Sequence, residues 1–266
     1  MTKNFFIVGN PVKHSLSPKI HNFWFKENKV DAIYEKKEIQ EHELKNLIED
    51  IRNDKIFGVN ITVPFKQKII PFLDQLSELS KKTNSVNTVY KKDNKVIGDN
   101  TDVFGFVKSI KHHSIELKDQ TVLILGGGGV VPSIISGLQE LSVKKIFLMN
   151  RTLKKIENLK KNFPKIELLN WGEIVEFDII INATSVGLKI DDKINIDLNN
   201  LKKGKIFYDT IYNPPMTNFL KAAKKDGHKI VNGGLMLIYQ AQKSFEYWNN
   251  ITPKVNDKFF QFFSND

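Results

Sequence analysis

Thr121-Val-Leu-Ile-Leu-Gly-Gly-Gly-Gly129 decides the architecture of this chain. Its continuous apolar run reads as a strand buried on both faces, as in a parallel sheet. Four glycines follow at once, then a helical stretch from about Val130 to Leu141 and a second strand, Lys145-Ile-Phe-Leu-Met149. Strand, glycine turn, helix and strand within about thirty residues form the unit that sets a pyrophosphate on a helix N-terminus. Gly126, Gly127, Gly128 and Gly129 suit that task, because a Cβ there would block the phosphates and strain the turn. A glycine cluster can also be a plain tight turn; the strand-to-helix setting favours the dinucleotide.

The end of the second strand indicates which dinucleotide. An NAD site places an acid there for the ribose 2′-hydroxyl, whereas an NADP site places arginine near the 2′-phosphate. Here the strand closes on Asn150-Arg151-Thr152, with Lys154 and Lys155 beyond and no acid. Arg151 is either a surface cation or a phosphate fork. NADP(H) is the expected cofactor. Three later strand ends complete a cleft: Phe177 to Ile181 runs into Asn182-Ala-Thr184-Ser-Val-Gly187, Lys205 to Tyr208 runs into Asp209-Thr-Ile211-Tyr212, and Ile230-Val231 runs into Asn232-Gly233-Gly234.

The first hundred residues form another alternating unit. Phe5 to Val8, Ile33 to Lys37 and Phe57 to Ile61 read as strands, and Glu41 to Ile51 as a helix. Val86 to Tyr90 and Lys95 to Gly98 form a hairpin around Asp93-Asn94. Ser17 to Lys26 is a helix with Ser17 as N-cap and Pro18 at its first position. Ser15 and Ser17 can be caps or can grip a carboxylate. In Asn60-Ile-Thr62-Val-Pro-Phe-Lys66, Asn60 and Thr62 share a strand face, and Pro64 opens a helix with Lys66 in its first turn. Lys66 is a solvated surface charge or a proton carrier beside polar groups. Gly98-Asp-Asn-Thr-Asp102 precedes a helix near Val103, with Asp102 as its N-cap. Leu235 to Trp248 is an amphipathic helix carrying Gln240. It and the aromatic tail (Phe259, Phe260, Phe262, Phe263) pack against the first domain.

The expected class is α/β with two domains. Residues 1–102 and 237–266 form a discontinuous N-terminal α/β substrate domain, and 103–236 a Rossmann-type domain. Apolar residues make up 41% of the 266, which supports globular folding. No apolar run reaches a membrane span and no signal-peptide pattern stands at the N-terminus. The chain has no cysteine, which fits a cytoplasmic setting and removes thiolate metal sites. The six histidines show no metal-ligand spacing, so no metal is expected. The formal charge is +10, but the lysines are spread evenly and the only arginines are Arg52 and Arg151, which argues against nucleic acid.

Eight segments, in order, resemble shikimate dehydrogenase: Ser15-Leu-Ser-Pro18, Asn60 to Lys66, Ser85-Val-Asn-Thr88, Gly98 to Asp102, Gly126 to Gly129, Asn150-Arg-Thr152, Asn182-Ala-Thr-Ser185 and Leu237-Ile-Tyr-Gln240. The resemblance implies reversible NADPH-dependent reduction of 3-dehydroshikimate to shikimate, on the route to chorismate and the aromatic amino acids. It implies Lys66 and Asp102 as an acid–base pair. Ser15 and Ser17 would bind the substrate carboxylate, with Tyr212 reaching toward it. Asn60, Thr62, Asn87 and Gln240 would hold the ring hydroxyls and carbonyl. The glycine loop, Asn150, Arg151, Thr152, Lys155, Thr184, Ile211 and Gly233 would take the cofactor.

Val131 stands where the fingerprint prefers Gly or Ala, and Pro132 removes a possible phosphate contact, so a weaker cofactor grip is expected. Val103 replaces a glycine that commonly follows the Asn-Thr-Asp motif. The alternatives are a quinate/shikimate dehydrogenase of broader specificity that prefers NAD, and a non-catalytic NADP-binding sensor. The family resemblance allows a monomer or a homodimer.

Overall fold

A computed structural model describes residues 2–189, 191–198 and 201–264, with Phe263 and Ser264 described by their backbone alone. The chain divides into two compact units, Met1–Gly105 with Ile238–Asp266, and Phe106–Leu237.

The first unit contains β1 (Lys3–Gly9), β2 (Ala32–Glu38), β3 (Gly58–Ile61), β4 (Gln75–Leu76), β5 (Thr88–Lys92) and β6 (Lys95–Asp99), in the order β2-β1-β3-β5-β6-β4. β1 runs parallel to β2 and β3, whereas β5 runs antiparallel to β3 and β6. Asp93 and Asn94 take φ of 49° and 59°, as a two-residue hairpin turn requires. Alternation along β1 divides the core between two faces. Phe6 and Val8 pack with the apolar stripe Leu44, Leu47, Ile48 and Ile51 of α2 (Leu44–Arg52), spaced at helical intervals. Phe5 points the other way, 5.1 Å by ring centroids from both Phe25 and Trp248. That face carries α1 (Ser17–Glu27) and the aromatic side of the helix Gly234–Asn249. Gly58 is required there, since a Cβ would stand 2.4 Å from the Trp248 indole. The C-terminal helix Asp257–Ser264 lays Phe259 against Trp24 at 5.2 Å and Phe262 against Phe23 at 4.6 Å; Phe260 touches Phe259, and the side chain of Phe263 lies outside the described residues.

The second unit contains β7 (Thr121–Leu125), β8 (Lys145–Asn150), β9 (Glu167–Asn170), β10 (Ile179–Asn182), β11 (Ile206–Asp209) and β12 (Lys229–Val231). They form one parallel sheet in the order β12-β11-β10-β7-β8-β9, the doubly wound order of dinucleotide-binding domains. Val122 and Ile124 face one apolar cluster, Leu123 and Leu125 the other, so β7 is buried on both sides. The chain order reverses between β7 and β10, which opens a crevice at their carboxyl ends.

Three local expectations are corrected. Ser17 is the first residue of α1 rather than its cap: Leu16 holds the cap position with no side-chain cap, and Ser15 Oγ accepts the Ser17 N–H at 3.2 Å. Ser17 is itself buried. Pro64 opens no helix. The Val63–Pro64 peptide is cis and Phe65 N–H donates to Thr62 O at 2.9 Å, giving a turn with cis-proline at its third position. Lys66 therefore lies in an irregular turn. Finally, Asp102 is not a cap, because the helix Thr101–His112 begins before it and Asn100 Oδ1 takes its N–H at 3.1 Å.

Candidate active site

Because Asn100 caps the helix, the Asp102 side chain is released for other partners. Lys66 Nζ donates to Asp102 Oδ2 at 2.6 Å, and the two side chains are only 14% and 10% exposed. Asn87 Nδ2 donates to the other carboxylate oxygen at 2.9 Å. The Asn87 amide is fixed in direction, since its Oδ1 accepts the Thr101 N–H at 2.7 Å. Gln240 Oε1 lies 3.4 Å from Asn87 Nδ2, which joins the helix Gly234–Asn249 to the group. A cation, a carboxylate and two amides thus converge at one largely buried place in the first unit.

Asn60, expected to hold a ring hydroxyl, has internal partners as well. Its Nδ2 donates to Asn87 O at 3.1 Å and to Ser244 Oγ at 2.9 Å, while its Oδ1 accepts from the Tyr34 hydroxyl at 2.8 Å. Both amide protons are taken inside the protein, as are those of Asn87. Thr62 follows β3, and its Cγ2 fills the space beside Gly9, where a Cβ would stand 2.4 Å away. Ser15 is half-buried and Ser17 buried at the start of α1. Tyr34 also stacks on His21 at 4.4 Å and 10°. Burial lowers the His21 pKa to about 3, outweighing an opposite pull from Asn60, and neither buried ring nitrogen has a hydrogen-bond partner of good geometry.

Sequence reasoning missed Tyr34 and Ser244 as members of this network. A serine one helical turn beyond Gln240 was the available signal. A buried tyrosine on a strand gives none.

In the second unit, the glycines after β7 divide by what surrounds them. Gly126 has φ +109° and a Cβ would meet Ala183 O at 2.8 Å; on Gly127 it would meet Ile156 Cγ2 at 2.3 Å. These two are glycine because the chain itself demands it. A Cβ on Gly128 would find nothing nearer than Ala183 O at 3.8 Å, and one on Gly129 nothing within 4 Å. Their lack of side chains leaves open space at the switch point, ahead of the helix Val131–Glu140. That cradle fits a pyrophosphate. Val131 packs fully buried into the core in that helix, and Pro132 sits in its first turn, where no N–H is missed.

After β8, Asn150 Nδ2 donates to Thr152 O at 2.9 Å, shaping a turn that leaves Arg151, Thr152 and Lys155 exposed. Thr184 is tied by its hydroxyl to Asn182 Oδ1 at 2.7 Å. Asp209 receives Asn182 Nδ2 at 3.1 Å, the Ile211 N–H at 3.0 Å and the Thr217 hydroxyl at 2.7 Å, while burial raises its pKa. This knot holds the strand ends carrying Thr184 and Ile211. Ile211 is buried and Tyr212 half-buried in the following loop. Gly233 passes so close to Thr210 that a Cβ would stand 2.1 Å from its carbonyl oxygen.

A doubly wound parallel sheet with a glycine loop at its switch point, in a chain that also buries a lysine–carboxylate pair, defines a nicotinamide-dinucleotide oxidoreductase. Comparison with known proteins narrows this. Residues 7–89 match the family model of the shikimate dehydrogenase substrate binding domain, and residues 108–215 that of shikimate / quinate 5-dehydrogenase. The shikimate dehydrogenase (NADP(+)) of Pelagibacter ubique is 55% identical over 97% of this chain and 97% of its own. The crystal structure of shikimate dehydrogenase from Aquifex aeolicus superposes with a TM-score of 0.92 at 37% identity, covering 99% of this chain and 98% of that one. The shikimate 5-dehydrogenase of Thermus thermophilus, in complex with NADP(H) and shikimate, gives a TM-score of 0.87 at 29% identity, covering 95% of each chain. The chain belongs to the shikimate dehydrogenase family. Among the described residues, no helix is long and apolar enough to cross a membrane, and no cluster of acids and histidines could hold a metal.

Proposed function

We infer that this protein catalyses the reversible NADPH-dependent reduction of 3-dehydroshikimate to shikimate, with Lys66 and Asp102 as its acid–base pair. The observation that carries the assignment of the pair is the 2.6 Å contact between them in a largely buried setting. NADPH, when bound, supplies a hydride to the substrate carbonyl carbon. Negative charge then grows on the carbonyl oxygen and must be met by a proton. The Lys66 ammonium stabilises that charge and, coupled to Asp102, delivers the proton; in the reverse direction the pair accepts it. Asp102 holds Lys66 with one oxygen and is itself held by Asn87 through the other, so the amine is aimed before substrate arrives.

Ser15 and Ser17 bind the carboxylate, with Tyr212 reaching toward it, and Thr62, Asn87 and Gln240 hold the ring oxygens. Asn60 joins them in holding the ring oxygens, and also ties its strand to Asn87 and Ser244. Gly128 and Gly129 admit the pyrophosphate, and Arg151, with Asn150, Thr152 and Lys155, takes the 2′-phosphate. Thr184, Ile211 and Gly233 line the nicotinamide side. Residues 1–102 and 237–266 serve the substrate and 103–236 the cofactor. The protein acts in the cytoplasm on small molecules, as a monomer or homodimer.

The test is initial rates with shikimate or quinate against NADP or NAD. Turnover confined to shikimate with NADP is expected. Comparable rates with quinate or NAD would assign the broader-specificity reading. Binding of NADP with no turnover in any pairing would assign the sensor.

A further inference from the structure

We propose that Ser244 is a positioning residue for the acid–base site, acting through Thr101 on Asn87; this rests on the reading of Asn87, Asp102 and Lys66 given above. Ser244 is fully buried on the helix Gly234–Asn249, one turn beyond Gln240. Its hydroxyl meets three elements of the first unit at once. It donates to Gln240 O at 3.1 Å, accepts Asn60 Nδ2 at 2.9 Å and stands 3.1 Å from Thr101 Oγ1.

Proton accounting gives this hub a direction. A hydroxyl has a single proton. That of Ser244 is committed to the Gln240 carbonyl, so the link to Thr101 is filled by the Thr101 proton. Thr101 Oγ1 is thereby left as an acceptor for Asn87 Nδ2, 3.0 Å away. Asn87 has two amide protons. One serves Thr101 and the other Asp102 Oδ1 at 2.9 Å, while Gln240 Oε1 competes from 3.4 Å. The chain Asn87 to Thr101 to Ser244 to Gln240 O therefore holds the second Asn87 proton, beside the Thr101 N–H that holds its Oδ1, and so steadies the first on Asp102. Without Ser244, the Thr101 proton turns to Asn87 Oδ1, 3.1 Å away, and one Asn60 proton is left buried without an acceptor. Asn87 Oδ1 stays held by the Thr101 N–H, but the second Asn87 amide proton loses a well-placed acceptor, so the aim of the first at Asp102 loosens.

The experiment is a double-mutant cycle on the purified full-length protein, measuring kcat and both KM values for NADP-linked shikimate oxidation with unfolding midpoints alongside. Ser244→Ala is expected to lower kcat about tenfold, the factor that follows from about 1.4 kcal/mol of lost positioning, with KM for NADP unchanged. In the Asn87→Ala background the same change should lower kcat by less than about twofold, because residues acting as one unit are not additive. A tenfold loss in both backgrounds, or none in the parent, would overturn the proposal. Should Ser244→Ala fail to fold, the isosteric Thr101→Val cuts the same link and carries the same expectation and the same overturning result. An inactive parent protein overturns the enzymatic reading and this one together. An active parent with additive losses overturns only the role of Ser244.

Discussion

Lys66 and Asp102 meet at 2.6 Å although 36 residues separate them, and neither sits where local sequence rules would put it. Lys66 lies in an irregular turn after a cis-proline, and Asp102 stands inside a helix that Asn100 caps. Asp102 leaves the capping role to Asn100, and the lysine and the carboxylate are brought together by packing of the first unit. Lys66→Ala should therefore lower kcat for shikimate oxidation by about 10² to 10⁴, the usual worth of a positioned proton donor. The circular dichroism spectrum should not change. Near-normal turnover in the variant would remove Lys66 from the mechanism.

The four glycines after β7 invite a test that separates folding from binding. Gly127→Ala drives a methyl group to 2.3 Å from the buried Ile156 and should cost about 1–3 kcal/mol of stability. Gly128→Ala meets nothing closer than 3.8 Å, and its φ is not positive, so stability should change by less than about 1 kcal/mol. Its added Cβ enters the cradle instead, and NADP affinity measured by fluorescence or calorimetry should fall at least about tenfold. Unchanged affinity in a folded Gly128→Ala protein would place the pyrophosphate elsewhere.

What the sequence made legible follows from how each element is stabilised. β7 was readable because a strand buried on both faces has a composition of its own, and the hairpin at Asp93-Asn94 because its turn demands positive φ. The two-residue β4, the polar helix Glu78–Thr83 and β9 were not, since such short segments are held by partners distant in sequence. Capping failed for a related reason. Asn100 and Asp102 are both good caps, and the choice between them was made by Lys66 and Asn87, which no local window contains. Motifs named the site's residue types in order, but they could not tell that Asn60 spends its amide on the interior.

Arg151 provides the test of cofactor choice. It is exposed, follows β8 directly, and stands where an NAD enzyme would carry an acid. A guanidinium–phosphate fork is worth about 1.5–3 kcal/mol. Arg151→Gln should accordingly raise KM for NADP about tenfold to a hundredfold and leave KM for NAD unaltered. Equal effects on both cofactors would show that the arginine serves some purpose other than the 2′-phosphate.

His21 makes stability depend on pH in a defined direction. Burial lowers its pKa to about 3, against about 6.5 for a free imidazole, so the folded state holds the ring neutral while the unfolded chain takes up a proton. Its contribution is complete above pH about 6.5 and is lost as pH falls from there toward 3, at up to about 1.4 kcal/mol per unit. His21→Phe keeps a flat ring between Tyr34 and Phe245, on which the histidine stacks at 4.4 and 6.2 Å, and removes the titration. Urea unfolding at about pH 7.5 and about pH 5 should show the parent losing about 2 kcal/mol more than the variant over that interval. Since the carboxylates common to both proteins cancel in the comparison, a difference that does not change with pH would mean that His21 accepts a proton in the folded state as readily as in the unfolded chain.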